Sequence, residues 1–270
     1  MEEIVFKNVS YQLNSKPYLE KINVKINNAK ITGIIGDNKT KFIELVDALI
    51  LPTYGEIIID NDMISKENIK DMQKKVSLIK QNSHEQFFTD IIKDEMLFLV
   101  KRLNYKNKDI NKKILDSLKI VGLDEKYLDK TISSLSAGEL KLIQIAVSLL
   151  CNPKIIIFDE PFVELDNNNR KKIIRLIKLL KNRYDKTIII ASNNCNLLYE
   201  LSDDLIVINK TKVVAADETV KIFQDIDFLN HYKLEIPNLV KFTYLAKNKK
   251  VKLSYHRDIL DLIKDVYKHV

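Results

Sequence analysis

The chain has 270 residues, 46% of them hydrophobic, and a formal net charge of +7 at pH 7, enough to bury a substantial core in one large domain or two smaller ones. No apolar run approaches the roughly 18 residues needed to cross a bilayer, and the start MEEI is acidic, so the expectation is a cytoplasmic protein with neither a signal peptide nor a transmembrane helix. Cys151 and Cys195 lie far apart and outside any CxxC pattern, which argues against a disulfide framework or structural metal site; the lysines are spread along the whole chain, so the charge reads as compositional bias and no nucleic-acid partner is expected.

In chain order, EIVFKNVSYQLN and INVKINNAKITGIIG are short β-branched runs with polar punctuation and predict strands. Behind IIG, the stretch FIELVDALI sets Phe42, Leu45, Val46 and Leu49 on one helical face, giving the order strand, loop, helix. GEIIID, Gly55 to Asp60, returns to strand. From about Glu85 to Leu150 the spacing of three and four in DIIKDEMLFLVKRL and NKKILDSLKIVGL predicts a helical insertion. KIIIFDEP and KTIIIASN are continuous apolar runs suited to fully buried parallel strands, and RKKIIRLIKLLKNRY between them completes a βαβ unit. DLIVINK and KVVAAD predict a hairpin. The tail from about Phe228 ends in the amphipathic helix DILDLIKDVYKHV, with a boundary between Thr219 and Asn230.

Two stretches carry chemistry. IIIFDEP runs four apolar residues into Asp159 and Glu160, placing both carboxylates at the carboxyl edge of a parallel sheet, where such sheets bind ligands; the plain alternative is a strand ending in two solvated acids. Upstream, Ser136 followed by Glu139 is a capping box opening the helix that runs to Leu150. Glycine is scarce, with five where average usage would give roughly nineteen, and Gly33, Gly36 and Gly138 fall inside candidate motifs.

LSAGE, an apolar helix, NP and then IIIFDEP together resemble the signature motif and Walker B strand of ATP-binding cassette ATPases, with Ala137 where the usual signature has glycine. The resemblance implies an α/β, P-loop NTPase-like fold with an antiparallel β subdomain, a helical subdomain over about 85–150, an ATPase domain over 1–225 and a small C-terminal extension over 226–270. It implies that Ser136 and Gly138 bind the γ-phosphate of ATP held by an opposing subunit, at a helix N-terminus favourable to anions. Gln81 matches the Q-loop glutamine, and Asp166 closes the D-loop match ELD. QNSHEQFF before an acidic helix is similar to the energy-coupling-factor group, related to cobalt transporter ATPases, with Ser83 in place of the usual proline; the tail KIFQDIDFLNHYKLEIPNLVKFTYLAKN, Lys221 to Asn248, resembles that group's extension.

The departures matter as much. A loop of type G-x-x-x-x-G-K-[ST] converges backbone N–H groups on the β-phosphate, with Lys reaching the phosphates and Ser/Thr holding Mg²⁺. GIIGDNKTKFIEL is about three residues short of that pattern and lacks its internal glycines. Gly36, Asn38, Lys39 and Thr40 are the remaining candidates for nucleotide contact, Lys41 competes with Lys39 for the charge, and a short surface turn with two lysines is the alternative. Thr40, Gln81 and Asp159 would hold Mg²⁺ if it binds, and Glu160 would be the catalytic carboxylate. The switch histidine of the family falls at Asn193, which has no imidazole, and Leu13 stands where an adenine-stacking aromatic is expected, with Tyr11 as the substitute. ATP and Mg²⁺ are therefore expected to be weak or absent in this chain's own half-site. The implied function is the ATP-binding subunit of an importer for a vitamin or metal ion, paired with a second, competent ATPase and a transmembrane coupling subunit docking near the Q-loop, peripheral on the inner face of the membrane. The other reading is an inactive pseudo-ATPase acting as a soluble scaffold or regulator.

Overall fold

In the computed structural model, which describes residues 4–82, 84–105, 109–249, 251 and 253–268, strands β1 (Ile4–Leu13) and β2 (Lys16–Ile26) form an antiparallel ribbon. The chain then enters β3 (Ile31–Gly36) and α1 (Lys39–Val46), and returns through β4 (Tyr54–Ile59) and β5 (Asp62–Met63) to complete a four-stranded sheet in the order β2-β1-β4-β5. Helix α2 (Ile69–Lys75) leads into β6 (Val76–Ile79). Three helices follow: α3 (Ile92–Arg102), α4 (Ile110–Ile120) and α5 (Ala137–Leu149). The βαβ unit is β7 (Ile155–Asp159), α6 (Asn167–Tyr184) and β8 (Thr187–Ala191), followed by α7 (Cys195–Leu201) and the hairpin β9 (Asp204–Asn209) and β10 (Lys212–Glu218). The second sheet runs β10-β9-β3-β8-β7-β6, parallel from β9 through β6 with β10 antiparallel at one edge. Helices α8 (Thr219–Gln224), α9 (Ile226–His231), α10 (Asn238–Asn248) and α11 (Ile259–Tyr267) finish the chain.

The apolar runs are buried on both faces, as a central parallel sheet requires. Ile155, Ile157, Ile189 and Ala191 point to the side shared with α1 and the antiparallel sheet, whereas Ile156, Phe158, Ile188 and Ile190 point to the core shared with α5, α6 and α7. Each isoleucine and phenylalanine among them contributes about 1.5–3 kcal/mol on burial, which fixes the register of the strand ends that carry the site. Leu229 and Val240 of the C-terminal segment join the second of these cores.

Two element boundaries differ from expectation. The helix after β3 begins at Lys39 and stops at Val46, leaving Leu49 exposed. Ala48 takes a left-handed conformation (φ 54°), and the N–H groups of Ala48 and Leu49 return to the carbonyls of Leu45 and Glu44 at 3.3 and 3.0 Å. That is a Schellman ending made with alanine where glycine is usual. The helical stretch begins with a 3₁₀ turn and reaches regular helix only at Ile92.

Candidate functional site

The carboxyl ends of β3, β7 and β8 bring Gly36, Asp159 and Ala191 to one edge of the parallel sheet. Between Gly36 and α1 lie only Asp37 and Asn38. Gly36 has φ +107°, and a Cβ there would sit 1.9 Å from the Ile208 carbonyl oxygen, so only glycine fits. Asp37 N–H donates to that same carbonyl at 3.0 Å, and the Asp37 carboxylate accepts the Lys210 N–H at 2.8 Å. Asn38 is left-handed (φ 54°), makes no side-chain cap, and donates its amide to the Tyr18 and Lys210 carbonyls at 3.0 and 2.8 Å. The turn is thus tied down to its neighbours on both sides. A phosphate chain is cradled by a run of converging amides, and here the Asp37 N–H is already taken by Ile208.

Lys39 and Thr40 open α1. Thr40 is exposed, and Lys41 pairs with Glu44 at 2.6 Å. Lys39 instead reaches Glu160, 3.4 Å from Oε1, with both side chains largely shielded from solvent. Glu160, itself left-handed (φ 41°), accepts the Ser192 hydroxyl on Oε2 at 2.7 Å and the Asn193 N–H on Oε1 at 3.0 Å. Both oxygens are therefore engaged, and the Asn193 contribution is its backbone. Burial pushes Asp159 up to about 6, with neighbouring Lys39 opposing the rise and Glu160 adding to it.

At α5, Ser136 is the N-cap of a complete capping box. Its hydroxyl and N–H both donate to Glu139 Oε2, at 2.7 and 2.9 Å, and Tyr127 donates its hydroxyl to Glu139 Oε1 at 2.6 Å. The Tyr127 bond first, then the Ser136 donors, hold Glu139 down to about 2. Gly138 packs against the start of α6: a Cβ there would stand 2.4 Å from the Asn169 amide. Asp166 caps α6 through the N–H groups of Asn168 and Asn169, both at 2.8 Å, and accepts the Asn169 amide at 2.7 Å. The N-termini of α5 and α6 thus meet at Gly138 and Asn169.

Gln81 follows β6 and is exposed, while Ser83 lies outside the described residues. The anchor of this segment was not legible from motif matching. Lys141, buried on α5, donates to the carbonyls of Lys80 and Gln81 at 3.0 and 3.2 Å. Gln144, one turn further, donates to Lys80 O at 3.1 Å and to Gln86 Oε1 at 2.5 Å. Burial lowers Lys141 to about 8, with Asp159 and Glu164 opposing. The available signal was a lysine and a glutamine at i, i+3 on an otherwise apolar helix. Beside this anchor opens a cleft of about 190 Å³ whose walls include Asp47, Lys80, Phe88, Phe98 and Arg102.

Of the two aromatic candidates, Leu13 is exposed and Tyr11 is buried in the antiparallel sheet, 6.1 Å from the Tyr18 ring. Tyr11 offers no free face for a base.

Residues 19–163 match the family model described as ABC transporter. The chain is similar to the energy-coupling factor transporter ATP-binding protein EcfA2 of Clostridium tetani, 33% identical over 243 residues and covering 88% of this chain and 83% of the relative. It is 31% identical over 242 residues to the protein of the same name from Clostridium perfringens, covering 87% and 85%. Among solved structures it resembles cbiO1 from Clostridium perfringens, part of the ABC transporter complex cbiONQ, with a TM-score of 0.74 at 24% identity over 89% of this chain and 98% of that one. It also resembles the dimeric cassette MJ0796 bound to ADP and Pi, with a TM-score of 0.70 at 22% identity over 80% and 98%. The structural likenesses are likenesses of fold.

Proposed function

Since this chain belongs to the ABC transporter family, and within it to the energy-coupling factor ATP-binding proteins, we propose that it is the degenerate half of an asymmetric ATPase pair that drives an energy-coupling-factor-type importer. The observation that carries the reading is the closed turn at 36–39, whose Lys39 is drawn to a Glu160 already bound by Ser192 and Asn193. The residues of this half-site do not fit a triphosphate and its Mg²⁺, so Gly36, Asn38, Thr40, Gln81 and Asp159 are assigned no catalytic step. The other half of the composite site is kept. Ser136 and Gly138 at the start of α5, with Asp166 beside them, complete the site whose phosphate loop belongs to a competent second ATPase, the exposed Ser136 hydroxyl turning from Glu139 to the phosphate.

Among the described residues no helix is long and apolar enough to cross a membrane. The cleft beside Gln81, where Phe88 and Phe98 stand exposed above Arg102, suits a protruding segment of a transmembrane coupling subunit. Such docking places the chain on the inner face of the membrane, with residues 226–270 as a C-terminal extension and a vitamin or metal ion as cargo.

The test is turnover of the reconstituted pair with its membrane subunit. Ser136→Ala is expected to lower it by about a hundredfold, the cost of losing one donor to a developing phosphate charge, whereas Glu160→Gln leaves it nearly unchanged. Equal loss from both substitutions, or strong hydrolysis by the isolated chain, overturns the degenerate-half reading. Isolation as a soluble homodimer without a membrane subunit would favour the scaffold reading instead.

A further inference from the structure

At the opposite edge of the parallel sheet, α4, the end of α5 and the end of α6 enclose a cleft of about 510 Å³ that plays no part in the ATPase reading. It lies beside Lys186, immediately before β8, and Asn152, shortly before β7. Five-residue strands separate this edge from Asp159 and Ala191 by about 16 Å, so its occupant could not also touch the site described above.

The charge of the cleft is one-sided. Lys113, Lys119, Arg183 and Lys186 line it against the single carboxylate of Asp116. Among the described residues none of these five makes an ion pair within 4 Å. Lys186 is the informative one, because it is buried and its ammonium has a neutral partner, the Asn152 amide oxygen at 2.8 Å. A buried ammonium without a counter-charge is costly, and its neighbours Lys113 and Lys154 add to that cost: burial first, then those two charges, lower its pKa. The C-terminal turns of α5 and α6 supply about half a negative charge each, which offsets only part of the excess.

The remaining wall is apolar and aromatic. Leu179 and Tyr184 of α6 and Leu149 of α5 border the cationic side. The volume falls within the roughly 300–1,000 Å³ typical of small-molecule sites.

We infer that this cleft binds a small phosphate ester, the cations taking the phosphate and the wall of Leu149, Leu179 and Tyr184 taking an apolar or aromatic body. The inference does not depend on the ATPase reading. Arg183 offers a two-pronged donor set matched to a phosphate, and Lys119 and Lys186 act as point charges around it.

The test uses the full chain and phenyl phosphate, a probe without a nucleoside, followed by amide chemical shifts in NMR, with inorganic phosphate and phenol as controls. Saturable shifts confined to residues 113–120, 149–152 and 179–187 are expected. Binding should be weaker for inorganic phosphate and undetectable for phenol. Arg183→Gln and Lys119→Gln, both at exposed positions, should each weaken phenyl phosphate by about tenfold, the usual loss of a charge-assisted bond. Lys186→Gln is the stronger probe, and thermal unfolding establishes that it folds. Absence of saturable binding, shifts at the Asp159 edge instead, undiminished affinity in Arg183→Gln and Lys119→Gln, or equal response to phenol each overturns the inference. Equal affinity for inorganic phosphate and phenyl phosphate overturns the assignment of an ester.

Discussion

Lys39 Nζ stands 3.4 Å from Glu160 Oε1, and that same oxygen accepts the Asn193 N–H while Oε2 accepts the Ser192 hydroxyl. The lysine that begins α1 is thereby paired with the carboxylate that ends the DE pair. The bonds rank by geometry: the 2.7 Å hydroxyl–carboxylate bond is charge-assisted and short, and the Lys39 contact is longer and lacks hydrogen-bond distance. Ser192→Ala is expected to lower the unfolding free energy of the isolated chain in urea by about 2 kcal/mol, and Lys39→Met by about 1 kcal/mol or less. A larger effect from Lys39→Met would mean that the ion pair, not the loop after β8, holds Glu160.

The same arrangement sets an expectation for the assembled pair. Because Lys39 is occupied by Glu160, Lys39→Met should leave ATP turnover of the pair within about twofold of the unsubstituted complex, since an interaction absent from the transition state costs nothing in rate. Loss of activity comparable to that of Ser136→Ala would show that Lys39 meets nucleotide after all.

Lys141 connects the signature helix to the segment after β6. It donates to two carbonyls that no other described side chain except Gln144 reaches, and it faces Asp159 across the sheet edge. Lys141→Met leaves those carbonyls short of a donor and removes a cation near a half-buried acid, so a loss of about 2 kcal/mol in stability is expected. Hydrogen exchange provides the sharper readout: amides of residues 78–82 should lose protection while those of β8 keep theirs. Uniform loss across both strands would indicate global destabilisation rather than a released segment.

Much of this architecture was legible because the buried strands are nearly pure isoleucine and end in punctuation. Ile155–Phe158 and Ile188–Ile190 could be nothing but central strands, and Asp159 and Glu160 follow from where such a strand stops. The capping box of Ser136 and Glu139 was equally readable, since its physics is local. Hidden from the sequence was everything set by long-range pairing. Nothing in the residues around Glu160 announces that Ser192, 32 positions on, occupies one of its oxygens, or that Lys141 reaches back 61 positions to Lys80. The end of α1 was misread for a different reason: Ala48 carries a conformation that the sequence normally marks with glycine, so periodicity alone carried the helix on to Leu49.

Asp47, the residue after α1, makes stability depend on pH. Burial lifts its carboxyl from 3.8 to about 8, with Arg102 and Lys80 opposing the rise. Between those values the folded chain holds a proton that the unfolded chain has released, so folding is favoured by acid and stability falls as pH rises through this window. Asp47→Asn removes the titration. The substituted chain is expected to match the parent at about pH 4 and to exceed it by several kcal/mol at about pH 8.5, about 1.4 kcal/mol for each unit of the window. Urea unfolding at the two pH values measures this, and a parent whose stability rises over the window would refute it.

Ala48 offers the cleanest test of how α1 ends. Its φ of 54° forces a Cβ into the left-handed region, and the two bonds to Glu44 and Leu45 depend on that conformation. Glycine adopts it without the Cβ penalty of about 1–2 kcal/mol, but gives back part of the gain through the greater freedom of the unfolded chain. The side chain is also buried, so removing one methyl forfeits about another 0.8 kcal/mol at most. The balance favours Ala48→Gly by a few tenths to about 1 kcal/mol, read as a rise in unfolding midpoint at unchanged denaturant slope. Ala48→Val sharpens the comparison, because a β-branched residue resists the left-handed region more strongly still. It should destabilise the chain by about 1–3 kcal/mol. If valine is tolerated as well as alanine, the turn after Val46 is not held in the left-handed conformation, and the early helix ending must come from the packing of Leu45 and Val46 instead.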